Sequence, residues 1–251
     1  MARRPGPQVE PARWHLPADP SRPPREPNNL ALIAVATVLL WQTQWGSVLL
    51  FPFTLLATWF HEMGHGLAAI MLGGEFDRLV IFADGSGYAR TSLPPDLGAI
   101  GRAFIPAAGL IGPSLAGSLL ILASRSPKAS AIALLVLGAM LALTTLIWVR
   151  SLAGWLVLPG FAVACIGIAA FAREGLQRFA VELLGVQGAI SLWQDLGYLF
   201  SDHAYVDGRM TPSDTGAIAD ALILPYWFWG GLISLLCAAM IWMALRHASS
   251  R

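Results

Sequence analysis

Charged residues are scarce in this sequence of 251 residues, of which only 12% are Asp, Glu, Lys or Arg. Soluble globular domains usually contain about 25% charged residues. Hydrophobic residues make up 56% of the chain, and the mean hydropathy is +0.61. The formal net charge of +1 provides no basic field that would attract a nucleic acid. The composition therefore indicates an integral membrane protein and argues against a nucleic-acid partner.

Cysteine is also rare, since the sequence contains only Cys165 and Cys237. Both residues lie in apolar runs, and we interpret them as core residues of helices. Two cysteines are too few for a disulfide framework. A zinc site made of thiolates would also require more of them. Any metal site in this chain should therefore be built from histidine and carboxylate ligands.

The first 28 residues lack an apolar core and contain eight prolines and five arginines. We therefore expect no signal peptide at this end of the sequence. A segment of this composition buries too little apolar surface to fold. The predicted organisation is a disordered Pro/Arg-rich tail over residues 1–28, followed by a transmembrane domain over residues 29–251.

Long apolar segments fill the rest of the chain, and a membrane-spanning helix needs about 20 such residues. The predicted fold class is an all-α polytopic membrane protein with six to seven transmembrane helices. The range reflects the first two segments, which are close enough to form a tight hairpin or to include one partly inserted helix. The candidate segments are residues 30–45, 47–71, 97–124, 129–149, 152–171, 176–200 and 221–245.

Residues 75–94, between the second and third apolar segments, favour a small β-hairpin. The β-prone run from Leu79 to Phe82 precedes Asp84-Gly85, a dipeptide typical of hairpin turns. An ordinary polar loop is the alternative. If the protein cleaves peptides, the strand edge from Leu79 to Phe82 would be able to hold an extended substrate by main-chain hydrogen bonds.

The strongest functional signal is an HExxH motif formed by His61, Glu62 and His65 inside an apolar segment. Residues four apart on a helix share one face, so His61 and His65 are able to bind one Zn²⁺ together. Glu62 is then placed to act as the general base. A pair of core histidines beside an unrelated acid is the alternative. It is disfavoured because three such groups are costly to bury in a membrane.

A catalytic zinc needs a third protein ligand, and carboxylates in the apolar segments are the first candidates. Glu182 lies four residues after Arg178, so an ion pair within one helix explains it. Asp195 has no basic residue within a helical turn, and we predict that it is the third ligand. Asp214 is the alternative, although Ser213-Asp214 also reads as a helix cap.

These residues resemble the site-2 protease family of intramembrane zinc metalloproteases, most closely its compact branch without a PDZ domain. The resemblance covers roughly residues 60–229. The better-known members carry an Asn-Pro-Asp-Gly-like element at the third ligand, whereas no Asn-Pro precedes Asp195 here. The resemblance therefore leaves Asp195 and Asp214 open. The matching elements are the run Phe60 to His65, Leu72-Gly73-Gly74 with the β segment, Ala107 to Gly117 with its Gly112-Pro113, Asp195, and Ser213-Asp214.

The leading hypothesis is an intramembrane zinc metalloprotease that hydrolyses peptide bonds in or near transmembrane segments of membrane-anchored substrates. In this hypothesis His61, His65 and Asp195 hold Zn²⁺, and Glu62 is the catalytic base. The expected partners are a membrane-protein substrate and the lipid bilayer, and the expected location is the plasma membrane. One alternative is a non-proteolytic zinc-binding scaffold or chaperone. A transporter that uses the same polar residues as an ion path is another, although the sequence shows no repeat between its halves.

Overall fold

The structure is a computed structural model that describes residues 29–206 and 208–249. The predicted disordered tail lies outside this part of the chain. The described residues form the helices α1 (Leu30–Trp41), α2 (Gln44–Met71), α3 (Ala99–Ala123), α4 (Pro127–Ile147), α5 (Leu152–Phe171), α6 (Glu174–Gln194), α7 (Leu196–Leu199), α8 (Asp214–Ala221) and α9 (Tyr226–Ser249). They also form the strands β1 (Glu75–Ile81), β2 (Gly87–Ser92), β3 (His203–Val206) and β4 (Arg209–Pro212).

The helices have the lengths and composition of a polytopic membrane protein. Helices α3, α4, α5 and α9 are each long and apolar enough to cross a membrane. Helices α1 and α2 are bent by 116° at their junction and give a fifth candidate span if the pair counts as one. Each of the seven predicted segments contains a helix, which confirms the predicted fold class. The candidate spans number fewer than predicted because of this bend and because α6, with its charged residues Arg178 and Glu182, does not qualify.

Helix α2 carries the HExxH motif in its C-terminal half and is fixed at both ends. At its start, the Thr43 hydroxyl accepts a hydrogen bond from the Gly46 N–H at 2.9 Å. After its end, Gly73 adopts a φ of +80°, a conformation that a residue without a Cβ tolerates best. In between, Trp59 is fully buried, and its indole N–H donates to the Thr144 hydroxyl at 3.1 Å. These contacts hold the motif against the core and against α4.

The predicted hairpin is present, with β1 and β2 paired antiparallel over most of their length. The Asp84 carboxylate stabilises its turn by accepting hydrogen bonds from the Ser86 hydroxyl at 2.7 Å and from the Ser86 N–H at 2.9 Å. These bonds hold the pKa of the Asp84 carboxyl below its usual range. Gly85 follows with a φ of +93°. The turn chemistry in the sequence therefore produces the predicted local structure.

The outer edge of β1 is covered, so it does not hold an extended substrate as the sequence suggested. The Leu79 N–H donates to the Trp148 carbonyl at 2.8 Å, and the Leu79 carbonyl accepts from the Arg150 N–H at 2.8 Å. The Ile81 N–H donates to the Ser151 hydroxyl at 3.0 Å. The connection between α4 and α5 therefore occupies this edge. The other edge of this two-stranded sheet, on β2, is not paired with a further strand of the described residues.

Helix α3 lies at the centre of the described helices and contacts α2, α6, α8 and α9. Small residues permit this packing, because a Cβ on Gly64 would overlap the Ala108 carbonyl oxygen. Where α3 meets α6, a Cβ on Gly117 would lie 2.8 Å from the Gly185 carbonyl oxygen. The close approach brings the backbone of α3 directly to the motif on α2.

The sixth predicted segment is interrupted at Asp195. Helix α6 ends at Gln194, and the four residues of α7 follow before the chain enters β3 and β4. Helix α7 is anchored, since Leu199 is 1% exposed and a Cβ on Gly230 of α9 would overlap the Leu199 carbonyl oxygen. This break carries the chain to the hairpin and to α8, which supplies a residue of the site.

Candidate metal centre

The two histidines of the motif lie together on α2, as their spacing predicts. The ring centroids of His61 and His65 are 4.7 Å apart and the rings are nearly perpendicular. Their side chains are mostly buried, with 17% and 13% of the surface exposed. Two imidazoles at this separation are able to ligate one metal ion from adjacent turns.

Asp214, the first residue of α8, reaches between both rings. Its Oδ2 lies 2.9 Å from Nε2 of His61, and its Oδ1 lies 3.5 Å from Nε2 of His65. Ligand atoms of these three residues all lie within 4.8 Å of one another, the one such group found among the residues the structure describes. Histidine with carboxylate is a donor set that zinc uses in catalytic sites.

The spacing of these donors fits a tetrahedral ion. Ligands at about 2.0–2.1 Å from zinc lie about 3.3 Å from one another in a tetrahedral arrangement. The separations of 2.9 Å from Oδ2 of Asp214 to Nε2 of His61 and of 3.5 Å from Oδ1 to Nε2 of His65 are of similar size, and one donor atom of each residue lies within 4.8 Å of the other two. Three protein ligands would leave the fourth position for water or substrate, which is the pattern of catalytic rather than structural zinc.

His65 is held in the orientation that a metal ligand requires. Its Nδ1 lies 3.0 Å from the carbonyl oxygen of Ile105 on α3, so the N–H donates there and Nε2 is left with its lone pair. Gly109 provides the space for the ring, because a Cβ at that position would overlap it. The close helix packing that small residues of α3 permit therefore extends to the site.

Asp214 is positioned by the start of its own helix and by Tyr198. The Ser213 hydroxyl caps α8 by accepting from the Gly216 N–H at 3.0 Å, and it donates in turn to the Ser201 carbonyl. The Tyr198 hydroxyl donates to Oδ2 of Asp214 at 3.0 Å and accepts from the Asp214 N–H at 3.1 Å. The helix-cap reading of Ser213-Asp214 and the ligand reading of Asp214 are therefore compatible.

Glu62 is 5% exposed and faces the β-hairpin. A Cβ on Gly87 would lie 3.3 Å from Cγ of Glu62, which shows how closely β2 approaches the acid. The main chain of Ala89 in β2 also lies close to its carboxylate. The two histidines and Asp214 are its charged neighbours. A general base must lie close to the metal ligands, and the Glu62 carboxylate lies beside the three candidate ligands.

The two other acids considered from the sequence lie outside this group. Glu182 pairs with Arg178 at 3.0 Å, which confirms the ion pair predicted within that helix. Asp195 is partly buried and interacts electrostatically with His61 and Asp214, but it does not join the three clustered donors. The structure thus gathers the two predicted histidines with the alternative aspartate. No feature of the sequence pointed to Tyr198.

One of three comparisons with known proteins identifies the family of this chain. The Peptidase M50B-like family model matches residues 30–244. Neither the curated proteins nor the solved structures gave a match. The family match covers the HExxH helix, the hairpin, α8 and most of α9. The predicted relation to the site-2 proteases is thereby confirmed, and the chain belongs to the Peptidase M50B-like family of membrane metalloproteases.

Proposed function

We propose that this protein is a zinc-dependent protease that hydrolyses peptide bonds in or near the transmembrane segments of membrane-anchored substrates. The observation that carries the proposal is the convergence of His61, His65 and Asp214 within 4.8 Å beside the buried Glu62. Helix α3, which packs against α2 at this site, is long and apolar enough to cross a membrane. Such a constellation is costly in an apolar environment unless a metal or a reaction uses it.

In this proposal His61, His65 and Asp214 hold the zinc. When bound, zinc acts as a Lewis acid that polarises the scissile carbonyl and makes water acidic near neutral pH. Glu62 accepts the proton of the attacking water and passes it to the leaving amine. The hydrogen bond from Nδ1 of His65 to the Ile105 carbonyl keeps the imidazole in the ligating tautomer.

Asp214 takes the place of Asp195 as the proposed third ligand. The support is the separation of 2.9 Å between Asp214 and His61, together with the position of Asp195 outside the donor group. Asp195 lies close enough to influence both residues electrostatically. Its role as a ligand remains a prediction from the sequence, and the metal content of variants decides between the two aspartates.

The outer edge of β2 is the proposed binding surface for an unwound substrate. The N–H and carbonyl of Leu79 bond to the α4–α5 connection and not to Ala89, which lies opposite Leu79 on β2. Leu79 and Ala89 are therefore a non-hydrogen-bonded pair of the antiparallel ladder. The N–H and carbonyl of Ala89 therefore point away from β1, toward the side where Glu62 lies. A substrate helix that opens in the membrane needs partners for its freed backbone, and a strand edge supplies them.

The first experiment measures the zinc content of the full-length protein by elemental mass spectrometry. We expect about one zinc per chain in the wild type and its loss in His61→Ala and Asp214→Ala. The matched control is Asp195→Ala, which should retain zinc. Loss of zinc from Asp195→Ala with retention in Asp214→Ala would restore the original ligand prediction.

The second measurement is cleavage of a membrane-spanning reporter in liposomes by the zinc-loaded protein. We expect cleavage by the wild type and none by His61→Ala. A fully zinc-loaded wild type that cleaves no membrane-anchored substrate, across reporters with different transmembrane sequences, would contradict the protease proposal. That result would favour the scaffold alternative.

A further inference from the structure

We infer that Tyr198 is a positioning residue that fixes Asp214 for metal binding, an inference that rests on the proposed function. Tyr198 lies on α7, the short helix after the break at Asp195. Asp214 lies at the start of α8, beyond the β3–β4 hairpin. The two hydrogen bonds between them therefore join separate elements directly at the site.

The Tyr198 hydroxyl makes two bonds to the same residue. It donates to Oδ2 of Asp214 at 3.0 Å and accepts from the Asp214 N–H at 3.1 Å. A single bond to the carboxylate would leave the side chain free to rotate about its own backbone. The pair of bonds fixes both the backbone position and the carboxylate orientation, so Asp214 is held ready for the ion.

The ring of Tyr198 also contacts His61, another of the proposed ligands. Its centroid lies 6.1 Å from that of His61, with the planes at 75°, an edge-to-face arrangement. One side chain thus borders both His61 and Asp214. It does this from a rigid support, because Leu199 next to it is buried and backed by Gly230.

This arrangement differs from a purely structural hydrogen bond. Asp214 already has its helix cap from Ser213, so the start of α8 does not depend on Tyr198 alone. The hydroxyl donates to Oδ2, the oxygen that lies 2.9 Å from His61. Hydrogen bonds to a ligating carboxylate orient it for the metal, and their loss typically weakens binding by about 10–100-fold.

The test is the zinc affinity of Tyr198→Phe, measured on the full-length protein by competition with a chromophoric chelator. We expect zinc binding about 10–100-fold weaker than in the wild type. The metal-free protein should still unfold in one cooperative transition, at a temperature lowered only slightly by the loss of the two hydrogen bonds, because the ring is retained. The matched control is Tyr205→Phe on β3, whose side chain is largely exposed and which should bind zinc like the wild type.

A double-mutant cycle separates positioning from a general structural role. In the Asp214→Ala background, the two remaining histidines leave a weak zinc affinity that is measured by titration rather than by the zinc content of the purified protein. There Tyr198→Phe should weaken zinc binding no further, because the residue it positions is gone. An equal loss in both backgrounds would overturn the inference, and so would unchanged zinc affinity in Tyr198→Phe. Absence of zinc from the wild type would instead refute the proposed function, so the two failures are distinguishable.

Discussion

Glu62 is the residue on which the proposed chemistry depends most directly. It is buried between the hairpin and the two histidines, and its carboxylate faces β2. Replacement by glutamine keeps the shape of the side chain but removes the base. We expect Glu62→Gln to retain about one zinc per chain and to lower kcat/KM by about 10²–10⁴-fold in reporter cleavage. Cleavage at the wild-type rate by this variant would rule out a general-base role.

The site residues differ in how far the sequence predicts them. His61, Glu62 and His65 follow from local geometry, because residues four apart on a helix necessarily share a face. The position of Asp214 depends on the fold of everything between α2 and α8. Asp195 was preferred from the sequence because it lies in an apolar segment without a basic neighbour. The break after α6 was not predicted, and it places Tyr198 and Asp214 beside the histidines.

At the scale of elements, the contact of α2 with α3 sets the geometry of the site. Gly109 lies where a side chain would overlap the His65 ring. We expect Gly109→Ala to turn the ring away from its Ile105 partner and to weaken zinc binding by about tenfold or more, since the ligand loses its support. The measurement is chelator competition, accompanied by thermal unfolding of the zinc-free protein in detergent.

A glycine of α5 supplies the matched control for this change. Gly167 has no heavy atom within 4 Å of the position that a Cβ would occupy. Gly167→Ala should therefore leave zinc affinity unchanged. It should leave helix stability equal or slightly higher, because alanine favours a helix by about 1 kcal/mol over glycine. Equal zinc affinity in Gly109→Ala and Gly167→Ala would show that the close approach of α3 does not support the ligand.

The β-hairpin shows where prediction of elements succeeds and fails. Its turn is predictable because Asp84 and Gly85 have local conformational preferences that the fold does not override. Which of its two edges is covered is not predictable from the sequence. The edge of β1 is covered because its main chain bonds to Trp148 and Arg150, which lie far away in the sequence. Hydrogen bonds of this kind depend on how α4 and α5 approach the hairpin, and no periodicity reports them.

At the scale of the whole molecule, the apolar helices are arranged so that the two cysteines are inaccessible. Cys165 is 3% exposed and Cys237 is fully buried. We expect no rapid reaction of either thiol with a small maleimide in the folded protein, and two thiols to react after unfolding in strong detergent. Ile223→Cys provides the control, because that side chain is fully exposed and should react at once. Rapid labelling of the unmodified protein would contradict the packing described here.

The whole-molecule architecture follows largely from composition. Scarce charge and long apolar segments predict a polytopic helical protein, and helices lie in all seven predicted segments. The count of spans is harder to predict, because a bend of 116° between α1 and α2 depends on packing rather than on hydropathy. Within α6, the charged residues Arg178 and Glu182 form an ion pair with each other.

The proposed metal ligands come from α2 and α8, which lie far apart in the described chain, and this has a consequence for how the protein is made. A ribosome releases α2 with its histidine pair early, but Asp214 emerges only with α8, just before the last helix. Under the proposed function, the nascent chain therefore inserts into the membrane with an incomplete zinc site. Under the same proposal, proteolytic competence arises only after α8 has been synthesised, so the enzyme is unable to cut neighbouring membrane proteins before that point.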